Sequence, residues 1–136
     1  MTEPEQALEN LARIGNLKSE PFSQSEFDGL IRSGDERLAD ARNEQLALSS
    51  RFDLAYNAAH AFSLAALRRS GYRSDNRYLV FQVLPHTLGT APAIWRILAK
   101  AHDVRNIAEY EGHLEADEKL VCGIVDAAAQ VRKALG

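Results

Sequence analysis

The sequence predicts an all-α protein: an antiparallel bundle of four to five core helices, preceded by an N-terminal helical extension over about residues 1–34. Three observations lead there. Apolar residues recur at spacings of three and four through most of the 136 residues. Glycines and prolines punctuate the chain between those runs rather than within them. Only one segment, "YLVFQVL", has strand-like composition, and a single strand has nothing to pair with. A chain that is 46% hydrophobic and 26% charged suits one compact domain with a modest core.

The elements follow in order. Thr2 and Glu5 stand at capping-box spacing with Pro4 in the first turn, and Leu8 and Leu11 begin an apolar stripe that Gly15 ends. "PFSQSEFDGLIRSG" offers Ser23 or Ser25 as a cap for a short helix carrying Phe27, Leu30 and Ile31, stopped by Gly34. A charged segment with Leu38, Ala41 and Leu46 on one side leads to Ser49 or Ser50, either of which can cap the next run. There Phe52, Ala55, Tyr56, Ala59, Phe62 and Ala66 share a helical face until "RRSG" closes it with cations and Gly71. That face is rich in alanine, so another helix or a second subunit can approach closely. "SDNRYLVFQVLPHTLG" reads as a helix capped by Asp75 or Asn76 and interrupted at Pro85. Thr90 and Pro92 open the next helix, which Gly112 breaks. The last run, from Leu120 through Val121, Ile124, Val125, Ala128 and Val131 to Leu135, keeps a 3.6-residue period.

Composition excludes several classes. No uninterrupted apolar run approaches the roughly 20 residues of a membrane span. The N-terminal "MTEPEQALENL" is acidic and helical where a secretory signal is basic and then apolar, so a cytoplasmic location is expected. One cysteine, Cys122, makes no internal disulfide, and its apolar neighbours predict a buried, inert thiol. Glycine-rich phosphate loops, paired-cysteine zinc spacings and His-Glu-x-x-His helices are all missing, so no cofactor or metal is expected. His60, beside an apolar helix face, reads as a core or interface residue, and His86 lies at a turn.

Charge is unevenly spread over a chain whose net charge is −3. From Arg68 to Arg105 seven cations face two anions, whereas the remainder holds nine against seventeen. Arg68, Arg69, Arg73 and Arg77 in this basic middle are candidates for contacting phosphate, or else are the solvated faces of helices paired with acidic flanks.

The densest cluster of functional groups is "AHDVRNIAEYEG", from Ala101 to Gly112. On a continuous helix, His102, Arg105, Asn106 and Glu109 share one face. A guanidinium offers a planar fork to phosphate oxygens, and a neutral imidazole accepts a proton near neutral pH. The same residues also suit a helix C-terminus dressed with cations.

The string "RNIAEYEG", between two amphipathic helices, resembles the Arg-Asn-x-Ala-Asp/Glu-Tyr signature of the HEPN superfamily of helical nucleotide-binding domains. "SSRFDLAYNAAHAFSLAALRRSGYR" is similar to that family's long helix, and the resemblance runs from about Leu38 to Leu135. It implies a bundle that forms homodimers, with the arginine segments of two subunits facing a shared cleft. It also implies binding of RNA, a nucleotide or a protein partner. Active members cleave RNA without metal, often as toxins restrained by small nucleotidyltransferase-like antitoxins. Carried over, Arg105 would hold a phosphate and Asn106 would orient it. Tyr110 stands where the commonest spacing places a histidine; His113 lies one residue beyond the usual range, and His102 one turn earlier is the other imidazole to hand. The expected function is therefore binding, with Tyr110 and the arginines as contacts and catalysis weak or absent. A metal-independent ribonuclease using Arg105, Asn106, His102 and His113 is the alternative, and a purely structural interaction module is a third reading.

Overall fold

The structure, a computed structural model, describes residues 2–136. Its described residues form seven helices and one two-stranded ribbon, and the architecture is all-α. In chain order these are α1 (Glu3–Arg13), β1 (Lys18–Ser19), α2 (Gln24–Ala41), α3 (Leu48–Arg69), β2 (Tyr72–Arg73), α4 (Arg77–Gln82), α5 (Leu84–Thr87), α6 (Pro92–Glu111) and α7 (Glu118–Leu135).

Local chemistry sets most helix ends. Thr2 and Glu5 close a reciprocal capping box on α1. Ser23, Asn76 and Asp117 accept the N3 amide of α2, α4 and α7. Gly112 ends α6 with a φ of 75°, in the left-handed region a glycine enters without strain. The break between α4 and α5 falls at Val83, and Pro85 occupies the first turn of α5, where its missing N–H costs nothing.

The central element is α3, packed against α2, α4, α6 and α7. Phe52, Tyr56, Ala59, Phe62 and Ala66 of α3 meet Leu38 and Ala41 of α2, Leu98 and Ala101 of α6, and Val121, Ile124, Ala128 and Val131 of α7 in one core. Burying each large side chain there contributes roughly 1.5–3 kcal/mol. A smaller core under α1 gathers Leu8, Leu17, Leu67, Leu79, Val80 and Val83. The ribbon pairs Lys18 with Arg73 and Ser19 with Tyr72, tying the α1–α2 linker to the end of α3.

Several expectations are corrected. Gly34 does not stop a helix: α2 runs through it to Ala41, so the boundary placed near residue 34 falls inside a helix of the main core. Gly34 is there for close approach, since a Cβ on it would lie 2.3 Å from the Phe62 ring. Helix α3 starts from Ala47, which caps nothing with its side chain, and not from Ser49 or Ser50. The alanine face of α3, open to another helix or a second subunit, is taken by the chain's own helices: Ala55, Ala58, Ala59, Ala65 and Ala66 are all buried. Cys122 is exposed, because the inward stripe of α7 is set by Val121, Ile124, Val125 and Ala128 and residue 122 points away from it. Among the described residues no helix is long and apolar enough to cross a membrane.

Candidate functional site

Three helices bring polar groups to one edge of the bundle. Helix α3 supplies Asp53, Tyr56, Asn57 and His60, α4 supplies Arg77 and Tyr78, and α6 supplies Trp95, His102, Arg105 and Asn106. The spacing 53, 56, 57, 60 puts the α3 residues on one face, and 95, 102, 106 does the same on α6.

Tyr56 is the hub. Its ring is buried against Phe52 and the edge of Phe81. The Arg77 guanidinium lies 5.5 Å from the ring centroid and that of Arg105 5.2 Å, both within cation–π range. Burial raises the phenol above its ordinary value of 10.0, against the opposing pull of Arg77 and Arg105, so the hydroxyl keeps its proton at neutral pH.

His102 is fixed at both ring nitrogens, with Nδ1 3.0 Å from the Tyr56 hydroxyl and Nε2 3.0 Å from the Asn106 side-chain nitrogen. An amide nitrogen only donates, so Nε2 accepts, and in the neutral ring the proton sits on Nδ1 and is donated to the Tyr56 oxygen. That leaves the Tyr56 O–H free to donate to something else.

The two arginines differ in what neutralises them. Arg105 has Asp53 at 3.9 Å and Glu109 at 3.5 Å, ion-pair separations too long for strong hydrogen bonds. Arg77 donates to Asn57 Oδ1 at 2.9 Å, and Asn57 is held in that orientation because its nitrogen donates to the Asp53 carbonyl at 2.8 Å. Among the described residues Arg77 has no carboxylate partner, although it is half-buried. The local field shows in His60: burial first, then the charges of Arg77 and Arg105, lower it from 6.5 to about 4. It is a neutral imidazole at physiological pH.

Beyond Arg105 opens a shallow groove of about 350 Å³ lined by Ser49, Asp53, Arg105, Glu109 and His113. The turn at Gly112 brings His113 to this groove, but its side chain is exposed and its near neighbour is Glu115 at 3.5 Å. His113 and His102 are therefore not brought together. Tyr110 is 95% exposed, one turn beyond Asn106.

The remaining candidates lie elsewhere. Arg68 is 2% exposed and donates to Glu26 and to the carbonyls of Glu20, Pro21 and Tyr72. Arg73 pairs with Glu20 and Glu26. These two arginines clamp the α1–α2 linker to the end of α3, which leaves Arg68 no surface to present to phosphate. Arg69 donates to the Leu135 carbonyl at 3.0 Å and stacks over Phe27, in a separate groove with Arg132. Among the described residues no group of three or more His, Cys, Asp and Glu side chains is placed to hold a metal ion.

Sequence reasoning missed Tyr56, Asn57, Asp53, Tyr78 and Trp95. The signal for Tyr56 and Asn57 was present in principle, as two polar side chains in the middle of an alanine face. Compared with family models, curated proteins and solved structures, the chain matches none.

Proposed function

We propose that the Arg77–Arg105–His102–Asn106 cluster binds the phosphate backbone of RNA, in a HEPN-like protein whose catalysis is weak or absent. One observation carries this: Arg77 is half-buried against the Tyr56 ring that Arg105 also covers, and among the described residues it has no carboxylate of its own, whereas Arg105 has Asp53 and Glu109. Holding an unpaired cation out of water is costly, and a bound phosphate relieves that cost. Two planar guanidinium forks lie over the Tyr56 ring there, a donor type matched to phosphate oxygens. Asn106 and His102 shape the rim, and Tyr110 extends it. A second copy, as the family resemblance implies, would meet this edge along α6, where Ile107 and Tyr110 are exposed.

The reading is tested by fluorescence anisotropy with a labelled single-stranded RNA. Affinity falls log-linearly with salt, and Arg105→Ala weakens binding across sequences and makes the salt slope shallower by about one. Absence of binding at low salt overturns it.

The ribonuclease reading is favoured by one feature, the fixed tautomer of His102. In the neutral ring its Nε2 is the acceptor, and only the exposed Asn106 amide covers it. On that reading wild-type protein cleaves RNA in chelator, and His102→Ala lowers the rate by roughly 100-fold or more. Intact RNA after prolonged incubation leaves the binding reading alone.

A further inference from the structure

Among the described residues, the segment 2–17 makes its hydrogen bonds and its ion pair only within itself. Its hold on the bundle is apolar: Leu8 is buried, and Leu11 and Ala12 rest half-buried, in the small core with Leu67, Leu79 and Val83. Grooves of about 490 and 400 Å³ run along the two flanks of α1, one reaching Tyr72 and the other Gln82. The chain turns at Gly15, with a φ of 86°. Three residues later it is firmly anchored, because Lys18 and Ser19 pair with β2 while Arg68 and Arg73 hold the Glu20 carboxylate. A turn that only apolar contact steadies thus adjoins a fixed point.

The seat of α1 is built largely from α4, which has only six residues and is far too short to persist without packing. Its side chains are divided between the two cores: Phe81 enters the main one, whereas Leu79 and Val80, with Val83 just beyond, enter the one beneath α1. The first residue of α4 is Arg77, which donates to Asn57 and lies over the Tyr56 ring. We propose that α1 is a displaceable strap whose docking holds α4 in place and, through it, sets the position of Arg77. Undocking about Gly15 uncovers Leu79 and Val83 and leaves Phe81 as the main apolar anchor of α4. Docked and undocked forms then differ in the placement of Arg77, so an amphipathic helix competing for the seat acts on that arginine without touching it. The inference holds whatever binds at Arg77.

Native-state hydrogen exchange on the full chain, followed residue by residue by NMR, tests this. The amides of Val80 and Val83 are bonded to the carbonyls of Asn76 and Leu79 and report on α4. They exchange through the same opening as the amides of α1, about 100-fold or more faster than amides in the middle of α3 and α7, which open only with the whole bundle. Leu8→Asp places a charge in the seat and makes the undocked form the ground state: α1 and α4 lose protection, and α3 and α7 keep theirs. If Val80 and Val83 remain as protected as α7 while α1 exchanges, α1 frays alone and its control of Arg77 is overturned. If α1 is itself as protected as α7, the strap is overturned outright. The wild-type pattern decides between these outcomes even where Leu8→Asp does not fold, and RNA plays no part in the measurement.

Discussion

Arg68 and Arg77 stand nine residues apart in the same basic stretch, yet the fold treats them in opposite ways. Arg68 is enclosed, with every side of its guanidinium answered by Glu26 or a backbone carbonyl. Arg77 is half-buried, answered by one neutral amide and the face of Tyr56. Both arginines are held by hydrogen bonds; what separates them is whether the molecule itself supplies the counter-charge. Where it does, the arginine is part of the architecture. Where it does not, the arginine is available to an outside anion; its neighbour Arg105 stands between the two cases, attended loosely by Asp53 and Glu109.

The contrast is sharpest when each arginine is removed. Arg68→Met keeps the apolar stem but leaves three carbonyls without their donor and Glu26 with Arg73 alone, and costs about 3 kcal/mol of stability by urea unfolding. RNA affinity of the remaining folded protein is unchanged. A loss below about 1 kcal/mol would show that the clamp is an ornament of the surface. Arg77→Met does the reverse: RNA affinity drops about tenfold or more, while stability holds or rises because an unbalanced charge has gone. Equal losses of stability from the two substitutions would erase the distinction.

Acid separates the two regions by the pH at which each responds. His60, beside the open cluster, is lowered in the folded state from 6.5 to about 4, so the unfolded chain takes up a proton first. Stability therefore declines as pH falls from about 6.5 to about 4, and His60→Gln removes that decline. Glu26 of the clamp is lowered from 4.5, chiefly by its hydrogen bond from Arg68. Its contribution is complete above about pH 4.5 and is lost only as pH falls further, through the lowered folded value. A denaturation series in pH that shows one step below 4.5 and none above it would contradict the assignment to His60. The smallest effect belongs to His113, exposed and facing Glu115: His113→Ala changes RNA affinity by less than about twofold. A larger loss would move the site toward the groove beyond Arg105.

Helix existence was legible because it is written in periodicity and in caps that act over three residues, as at Thr2–Glu5 and Asn76–Leu79. The stop assigned to Gly34 was misread because a glycine that ends a helix and one that admits a neighbouring ring look identical in sequence. Of the site, His102, Arg105 and Asn106 were legible as one helical face. Their partners were not, since Tyr56 reaches His102 and Arg105 across 46 and 49 positions of chain, and Arg77 reaches Tyr56 across 21, and no local pattern records that. The fate of Arg68 was equally hidden: its carboxylate partner Glu26 lies 42 residues away. Charge counted along the chain sums neighbours in sequence, whereas an ion pair is a neighbour in space.

The contact between Gly34 and Phe62 has a consequence for how the chain finds this arrangement. Sliding α2 along α3 by one turn, about 5.4 Å, would set Leu30 or Leu38 where only a hydrogen atom fits against the ring. Two long helices with leucine and alanine faces have many nearly equivalent ways to lie together, and this one position disallows the neighbouring ones. Gly34 and Phe62 thus act as a key and its slot, selecting a single axial setting from which Arg51 can reach the Ala41 carbonyl at 2.8 Å and lock the hairpin at its turn.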